Sequence, residues 1–195
     1  MIVDTHLLIS NILFKYLSNN IGFKLDRVAF AYGNIKPDIT NKDINCPHTL
    51  EESLNSVNNY SEKLMKDDIS IGQFSESLGV ICHFACDYFC IYHRDGNDKK
   101  GAFEHLYYEM TLHIRLIKLL IRGKLRPNNN DMPYDNVEEI FLNLQKKYNI
   151  EEECLDRDIN YALFAATQIS KLLVYSSQLY FEQNTERIIE KYILR

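Results

Sequence analysis

The sequence predicts an all-α protein, a single-domain bundle of helices spanning residues 1–195. The 195-residue chain contains only 7 Gly and 4 Pro, so residues that break helices are few. Apolar residues recur at helical spacing through most of the chain. Capping boxes, with Ser or Thr followed three residues later by Glu or Gln, begin at Thr49 and Ser70. This length is most simply one domain with a sizeable core.

The capping signals and the apolar spacing place the helices along the chain. We expect irregular segments where Pro, Asn and Gly cluster, at 33–47, 94–100 and 124–134. The predicted helices run over about 4–18, 49–66, 70–93, 101–123, a shorter stretch from 136, and 157–182.

Composition and charge exclude several classes of protein. The net charge of −5 and the lack of a basic, aromatic-rich stripe argue against a duplex nucleic-acid platform or electrostatic docking on an anionic membrane. No apolar run reaches the roughly 18 residues of a transmembrane segment. Asp4 and His6 interrupt the apolar start that a signal peptide needs, so we expect a cytoplasmic protein.

The five cysteines are an odd number, which favours reduced thiols. Cys82, Cys86 and Cys90 form a helical stripe that we expect to pack as small apolar side chains. Cys46, two residues before His48, is a minor candidate for a thiol near a metal.

Two histidine–carboxylate pairs predict a multi-zinc site. His83 and Asp87 lie four residues apart on one predicted helix, and His105 and Glu109 repeat this spacing on the next. His93 lies between the pairs, and two antiparallel helices would bring all five side chains together. Imidazole and carboxylate groups are ordinary zinc ligands. One such pair alone is usually only a hydrogen-bonded pair, so the prediction depends on the combination.

The pattern resembles the zinc-dependent phospholipase C family of bacteria, which is similar in fold and metal site to the single-strand nucleases of fungi and plants. The resemblance covers roughly residues 1–110. It rests on His6, Gly33-Asn-Ile-Lys-Pro-Asp38, Pro47-His48, Gly79-Val-Ile-Cys-His-Phe-Ala-Cys-Asp87, His93 and His105-Leu-Tyr-Tyr-Glu109.

This resemblance implies up to three zinc ions. The first would be held by Asp38, His48, His83 and Asp87, the second by His93, His105 and Glu109, and the third by His6 with a bridging oxygen of Asp87. Asp38 would be the general base or would orient the attacking water. The family completes the third site with the amine and carbonyl of an N-terminal Trp. This chain has no Trp, so we expect the amine and carbonyl of Met1 to take that role.

The resemblance implies an enzyme, a metal-dependent phosphoric ester hydrolase of phospholipase C type. Zinc-activated water would attack the phosphorus of a phospholipid headgroup or another small phosphate ester. One alternative is a single-strand nuclease, nucleotidase or other intracellular phosphoesterase with the same zinc cluster. Another is a non-catalytic helical bundle that binds metal. The chain has no His-Asp dipeptide, which argues against a phosphohydrolase of the HD type.

Overall fold

The computed structural model describes residues 1–40, 47–66, 69–94, 101–125 and 135–193, with backbone alone for 66 and 186–193. All regular secondary structure in these ranges is helical, which confirms the predicted all-α class. The α-helices are α1 (Val3–Tyr16), α2 (Arg27–Gly33), α3 (Lys36–Ile39), α4 (Leu50–Lys66), α5 (Ile71–Asp87), α6 (Ala102–Ile121), α7 (Val137–Tyr148), α8 (Leu155–Ser176) and α9 (Gln178–Ile193).

Helix α5 is the centre of the bundle. Its N-terminus has the predicted capping box, in which the Ser70 side chain accepts from the Gln73 N–H and Gln73 reaches back to Ser70. Every residue from Leu78 to Asp87 is buried, because α2, α4 and α8 pack around this part of the helix. His83 and Asp87 therefore lie inside the protein.

Helices α2 and α5 cross with their backbones in contact at Gly33 and Gly79. A Cβ atom on Gly33 would lie 2.0 Å from the Glu76 carbonyl oxygen, and one on Gly79 would lie 2.4 Å from that of Phe30. Only glycine fits both positions, which allows the end of α2 to lie directly on α5 beside His83.

Helix α5 ends at Asp87, so the prediction of a helix continuing to His93 is wrong. His93 lies instead in a short 3-10 turn, Ile91–His93, after an extended Cys90. The N–H of Ile91 donates to the Asp158 carboxylate at 3.0 Å, so a side chain of α8 replaces a hydrogen bond that a continuing helix would make.

Two other stretches differ from the expectation. Part of the segment 33–47, expected to be irregular, forms α3, and α2 precedes it with Asp26 as a side-chain N-cap. The helix predicted over 157–182 is two helices. Ser177, with an extended ψ of 143°, separates α8 from α9.

Helix α6 lies at the edge of the bundle and packs against α1 and α8. A narrow stripe faces inward, consisting of Glu109, Leu112, Leu116 and Leu119. The opposite side of α6 exposes large apolar side chains to solvent. No helix in the described ranges has the length and apolar character needed to cross a membrane.

Candidate metal centre

The Asp87 carboxylate lies between two groups of potential ligands. Its Oδ2 is 2.8 Å from Nδ1 of His48 and 3.2 Å from Nε2 of His83. Its Oδ1 is 3.2 Å from Nε2 of His6 and 2.5 Å from the Met1 amine. Burial alone would raise the pKa of Asp87, but the Met1 amine and the surrounding histidines hold it well below its usual range. The carboxylate is thus ionised and can contact a cation on each side.

The first group contains the four residues expected to bind the first zinc: Asp38, His48, His83 and Asp87, with one ligand atom of each within 4.8 Å of all the others. Nε2 of His83 is 3.3 Å from Nδ1 of His48 and 3.7 Å from Oδ1 of Asp38. A tetrahedral zinc with ordinary bond lengths holds its ligand atoms about 3.3 Å apart. These nitrogen and oxygen atoms therefore match zinc in chemistry and in separation.

A backbone carbonyl orients the His83 ring. Nδ1 of His83 is 2.9 Å from the Asn34 carbonyl oxygen, which can only accept, so Nδ1 must donate. The lone pair of Nε2 then faces Asp87 and His48, as metal binding requires. The glycine crossing of α2 and α5 brings the Asn34 carbonyl this close.

The second group contains Cys90, His93 and Glu109, whose ligand atoms also lie within 4.8 Å of one another. Oε1 of Glu109 is 3.0 Å from Nε2 of His93 and 2.9 Å from Nε2 of His105. Burial alone would raise the pKa of Glu109, but the His93 bond and the Met1 amine lower it to about 2. The Tyr92 ring stacks on His105 with centroids 5.1 Å apart. His93, His105 and Glu109 are therefore close together, as the sequence predicts.

The sequence predicts only packing for Cys90, so its position in this group differs from the expectation. Cys90 is fully buried, and burial raises the pKa of its thiol to about 12. Its place three residues before His93 is a weak signal, because it depends on the turn that follows α5. Cys82 and Cys86 are buried in the hydrophobic core, and Cys46 lies outside the described residues.

His6 is a buried imidazole without a hydrogen-bond partner among the described residues. Neither ring nitrogen makes a hydrogen bond, and the 3.2 Å separation from Asp87 lacks hydrogen-bond geometry. Its ring stacks on His83 with centroids 4.1 Å apart. Burial and the neighbouring His83 lower the pKa of His6 to about 3, so the ring is neutral. A neutral, desolvated imidazole that faces a carboxylate is suited to bind a metal.

The amine of Met1 lies between the two groups. It is 2.5 Å from Oδ1 of Asp87, 3.0 Å from Oε1 of Glu109 and 3.1 Å from Nε2 of His93. Burial alone would lower the pKa of the amine, but Asp87, Cys90 and Glu109 raise it to about 11. The protonated amine offsets the negative charges of Asp87 and Glu109, as a bound metal ion would. It must lose a proton before its nitrogen can bind a metal.

The cluster has a buried floor and a partly exposed rim. The side chains of His6, His83 and Asp87 are 0% exposed. The side chains of Asp38 and His48 are 21% and 22% exposed, and that of His105 is 35% exposed. Part of the ligand cluster is thus accessible to solvent, as in zinc sites that keep a coordination position open.

A buried network around Asp158 supports the second group. The Asp158 carboxylate accepts from the Ile91 N–H at 3.0 Å, from the Tyr148 hydroxyl at 2.8 Å and from the Tyr108 hydroxyl. Ile91 begins the turn that carries His93, and Tyr108 precedes Glu109 on α6. The network therefore connects α8 to both elements. The sequence carries no signal for it, because the partners are distant along the chain.

The comparisons with known proteins agree with this geometry. The family model for zinc-dependent phospholipase C matches residues 5–168, which is more than half of the chain and extends well past the 1–110 covered by the resemblance. No curated protein sequence and no solved structure matches the chain. The family model and the clustered His and Asp ligands support zinc as the cofactor. The chain belongs to the zinc-dependent phospholipase C family.

Proposed function

We propose that the protein hydrolyses the phosphoric ester bond of a phospholipid in a phospholipase C-type reaction, which releases a diacylglycerol-like alcohol. Membership of a family of metal-dependent phospholipid hydrolases supports the reaction class. The observation that carries the proposal is the exposed rim above a buried floor, because a phosphate ester must reach the metals while their ligands stay fixed.

We assign one proposed zinc site to each of the two ligand groups and a third to His6. Zinc, when bound here, lowers the pKa of its water and offsets phosphoryl charge. The proposed ligands are Asp38, His48, His83 and Asp87 for one ion, His93, His105 and Glu109 for a second, and His6, Oδ1 of Asp87 and the amine and carbonyl of Met1 for a third.

Asp38 is the proposed general base. It lies on the short helix α3 at the exposed rim, with Oδ1 3.8 Å from Nδ1 of His48. Burial raises the pKa of Asp38 above its ordinary value, although neighbouring histidines oppose this. A more basic carboxylate at the rim can hold an attacking water and accept its proton.

The exposed rim also bears on the two alternatives. A bundle that only stores metal has no need of a solvent-exposed side at its ligands, and closed coordination is usual for structural zinc. A single-strand nuclease would use the same metals, so substrate profiling has to separate it from a phospholipase.

The direct test is Asp38→Asn in the zinc-loaded protein, assayed on phosphatidylcholine and on single-stranded DNA. We expect wild type to cleave the phospholipid and the variant to lose about 100-fold to 10,000-fold in kcat. Asp135→Asn, at an exposed position outside both ligand groups, is the matched control and should retain full activity. Zinc content is measured for each protein, so that a lost base is distinguished from a lost metal.

Three results would contradict the proposal in different ways. Unchanged activity in Asp38→Asn rejects its catalytic role. Cleavage of single-stranded DNA without phospholipid hydrolysis identifies a nuclease. Bound zinc without turnover on either substrate, or on a simple phosphate monoester, supports the non-catalytic alternative.

A further inference from the structure

The outward side of α6 carries a continuous apolar stripe, here called the outer face. Its end residues are among the most exposed apolar side chains described, with Phe103 at 81% and Ile121 at 80%. The exposed area of the stripe is roughly 600 Å², at the upper end of the apolar patches on monomeric proteins. The outer face consists of Phe103, Tyr107, Met110, Ile114, Ile117 and Ile121.

The spacing of the outer face is that of a coiled-coil seam. Successive members are 4, 3, 4, 3 and 4 residues apart, the alternation of a heptad repeat. This order is the same when read from either end of the helix. A second α6 placed antiparallel would therefore set Phe103 opposite Ile121, Tyr107 opposite Ile117, and Met110 opposite Ile114.

The residues beside the stripe have the same symmetry. On one flank, exposed Glu104 and Lys118 lie seven residues before and after Thr111, so antiparallel pairing sets the acid of each copy beside the base of the other. On the other flank, Leu106 and Leu120 lie seven residues before and after His113 and would meet each other. Both flanks thus match their own copies in an antiparallel arrangement.

We propose that two copies of the chain form a symmetric homodimer by antiparallel packing of α6 on α6 through the outer face. A stable protein interface buries about 800 Å² on each partner. The stripe supplies most of that area, and the two flanking leucines enlarge it. A cleft of about 310 Å³ beside Phe103 and Tyr107 gives space for Ile121 of the second copy.

The charges and shape favour a second copy over a lipid surface. A helix that lies on a membrane combines a broad apolar face with a polar face rich in Lys and Arg. The opposite side of α6 instead packs into the protein and carries Glu109. The stripe repeats with the alternating 4 and 3 spacing of a heptad, as a helix–helix seam does. The inference does not depend on the proposed function, since it uses no residue of the ligand cluster.

Sedimentation equilibrium of the full, zinc-loaded chain tests the dimer. We expect wild type to show twice the chain mass of 22.9 kDa. Ile114→Lys places two charges at the centre of the interface and should raise the dimer dissociation constant by about 100-fold or more. Ile150→Lys is the matched control, because Ile150 is 85% exposed and lies outside α6, and it should remain dimeric.

A charge exchange tests the antiparallel direction. Glu104→Lys and Lys118→Glu should each weaken the dimer, and the double variant should restore it. A dimer that Ile114→Lys leaves intact, or that the double variant does not restore, overturns the proposed arrangement. Monomeric wild type overturns the dimer itself. If the protein is monomeric, floats with phosphatidylcholine–phosphatidylglycerol vesicles, and loses this binding in Ile114→Lys, the outer face is a lipid-binding surface instead.

Discussion

The two unbonded ring nitrogens of His6 give its substitution opposite effects with and without zinc. In His6→Phe the ring that stacks on His83 remains, but the nitrogens are lost. We expect bound zinc to fall by about one ion per chain. Without zinc, the variant should unfold at the same temperature as zinc-free wild type or at a higher one, because a buried polar group without a partner has been removed. Metal analysis and thermal unfolding, each with and without zinc, measure the two effects.

His113→Phe is the matched control for this substitution. His113 lies 3.0 Å from the Thr5 hydroxyl and outside both ligand groups, so its replacement should leave zinc content unchanged. Full zinc content in His6→Phe would show that His6 is not a ligand.

The clustering of the proposed ligands was largely predictable residue by residue, because ligand chemistry is local and spacing on a helix is regular. His83 with Asp87, and His105 with Glu109, could be paired from the sequence alone. The resemblance added His6, Asp38 and His48, which the fold brings to the same cluster. The position of Cys90 could not be predicted, because it depends on where α5 stops.

At the level of helices, the contact between α2 and α5 is the feature most sensitive to one methyl group. In Gly79→Ala the new Cβ would lie 2.4 Å from the Phe30 carbonyl oxygen and 2.9 Å from the Asn34 nitrogen. The helices must move apart, which we expect to lower the free energy of unfolding by about 1–3 kcal/mol. The Asn34 carbonyl would withdraw from His83, so zinc affinity should fall as well. Denaturant unfolding and zinc titration measure both losses.

Gly72→Ala on the same helix provides the control. Its nearest neighbour would be 4.0 Å from the added Cβ, and Ala favours a helix more than Gly does. Stability should be unchanged or slightly higher. Equal effects of the two substitutions would mean that helix propensity, rather than the close crossing, determines the result.

Helix positions followed from capping and apolar spacing where contacts are local, as at Ser70 and Asn136. Helix ends that depend on residues distant in sequence could not be predicted in this way. The end of α5 depends on Asp158, 67 residues after Ile91, and no local pattern encodes that hydrogen bond. The start of α2 does have a local signal, because Asp26 precedes an apolar run and caps the helix.

For the molecule as a whole, zinc should contribute to stability as well as to the proposed reaction, because the ligands come from helices far apart in sequence. A ligand that binds only the folded state at about 100 times its Kd adds roughly 2.7 kcal/mol. For a chain of this length, removal of zinc with a chelator should then lower Tm by roughly 5–10 °C. Differential scanning calorimetry before and after chelation measures the shift. Adding zinc back should return Tm to its original value. A Tm that chelation leaves unchanged would contradict binding of zinc to the folded state.

The Asn34 carbonyl that orients His83 has a consequence for mutational scanning. The accepting atom belongs to the main chain, so no substitution at Asn34 removes it directly. A scan that replaces side chains one at a time would therefore leave in place the atom that orients His83. The same scan would assign the ring's orientation to Gly33 and Gly79, which have no side chains and do not contact a metal. The orientation of the His83 ring would thus depend most visibly on two glycines that have no functional group.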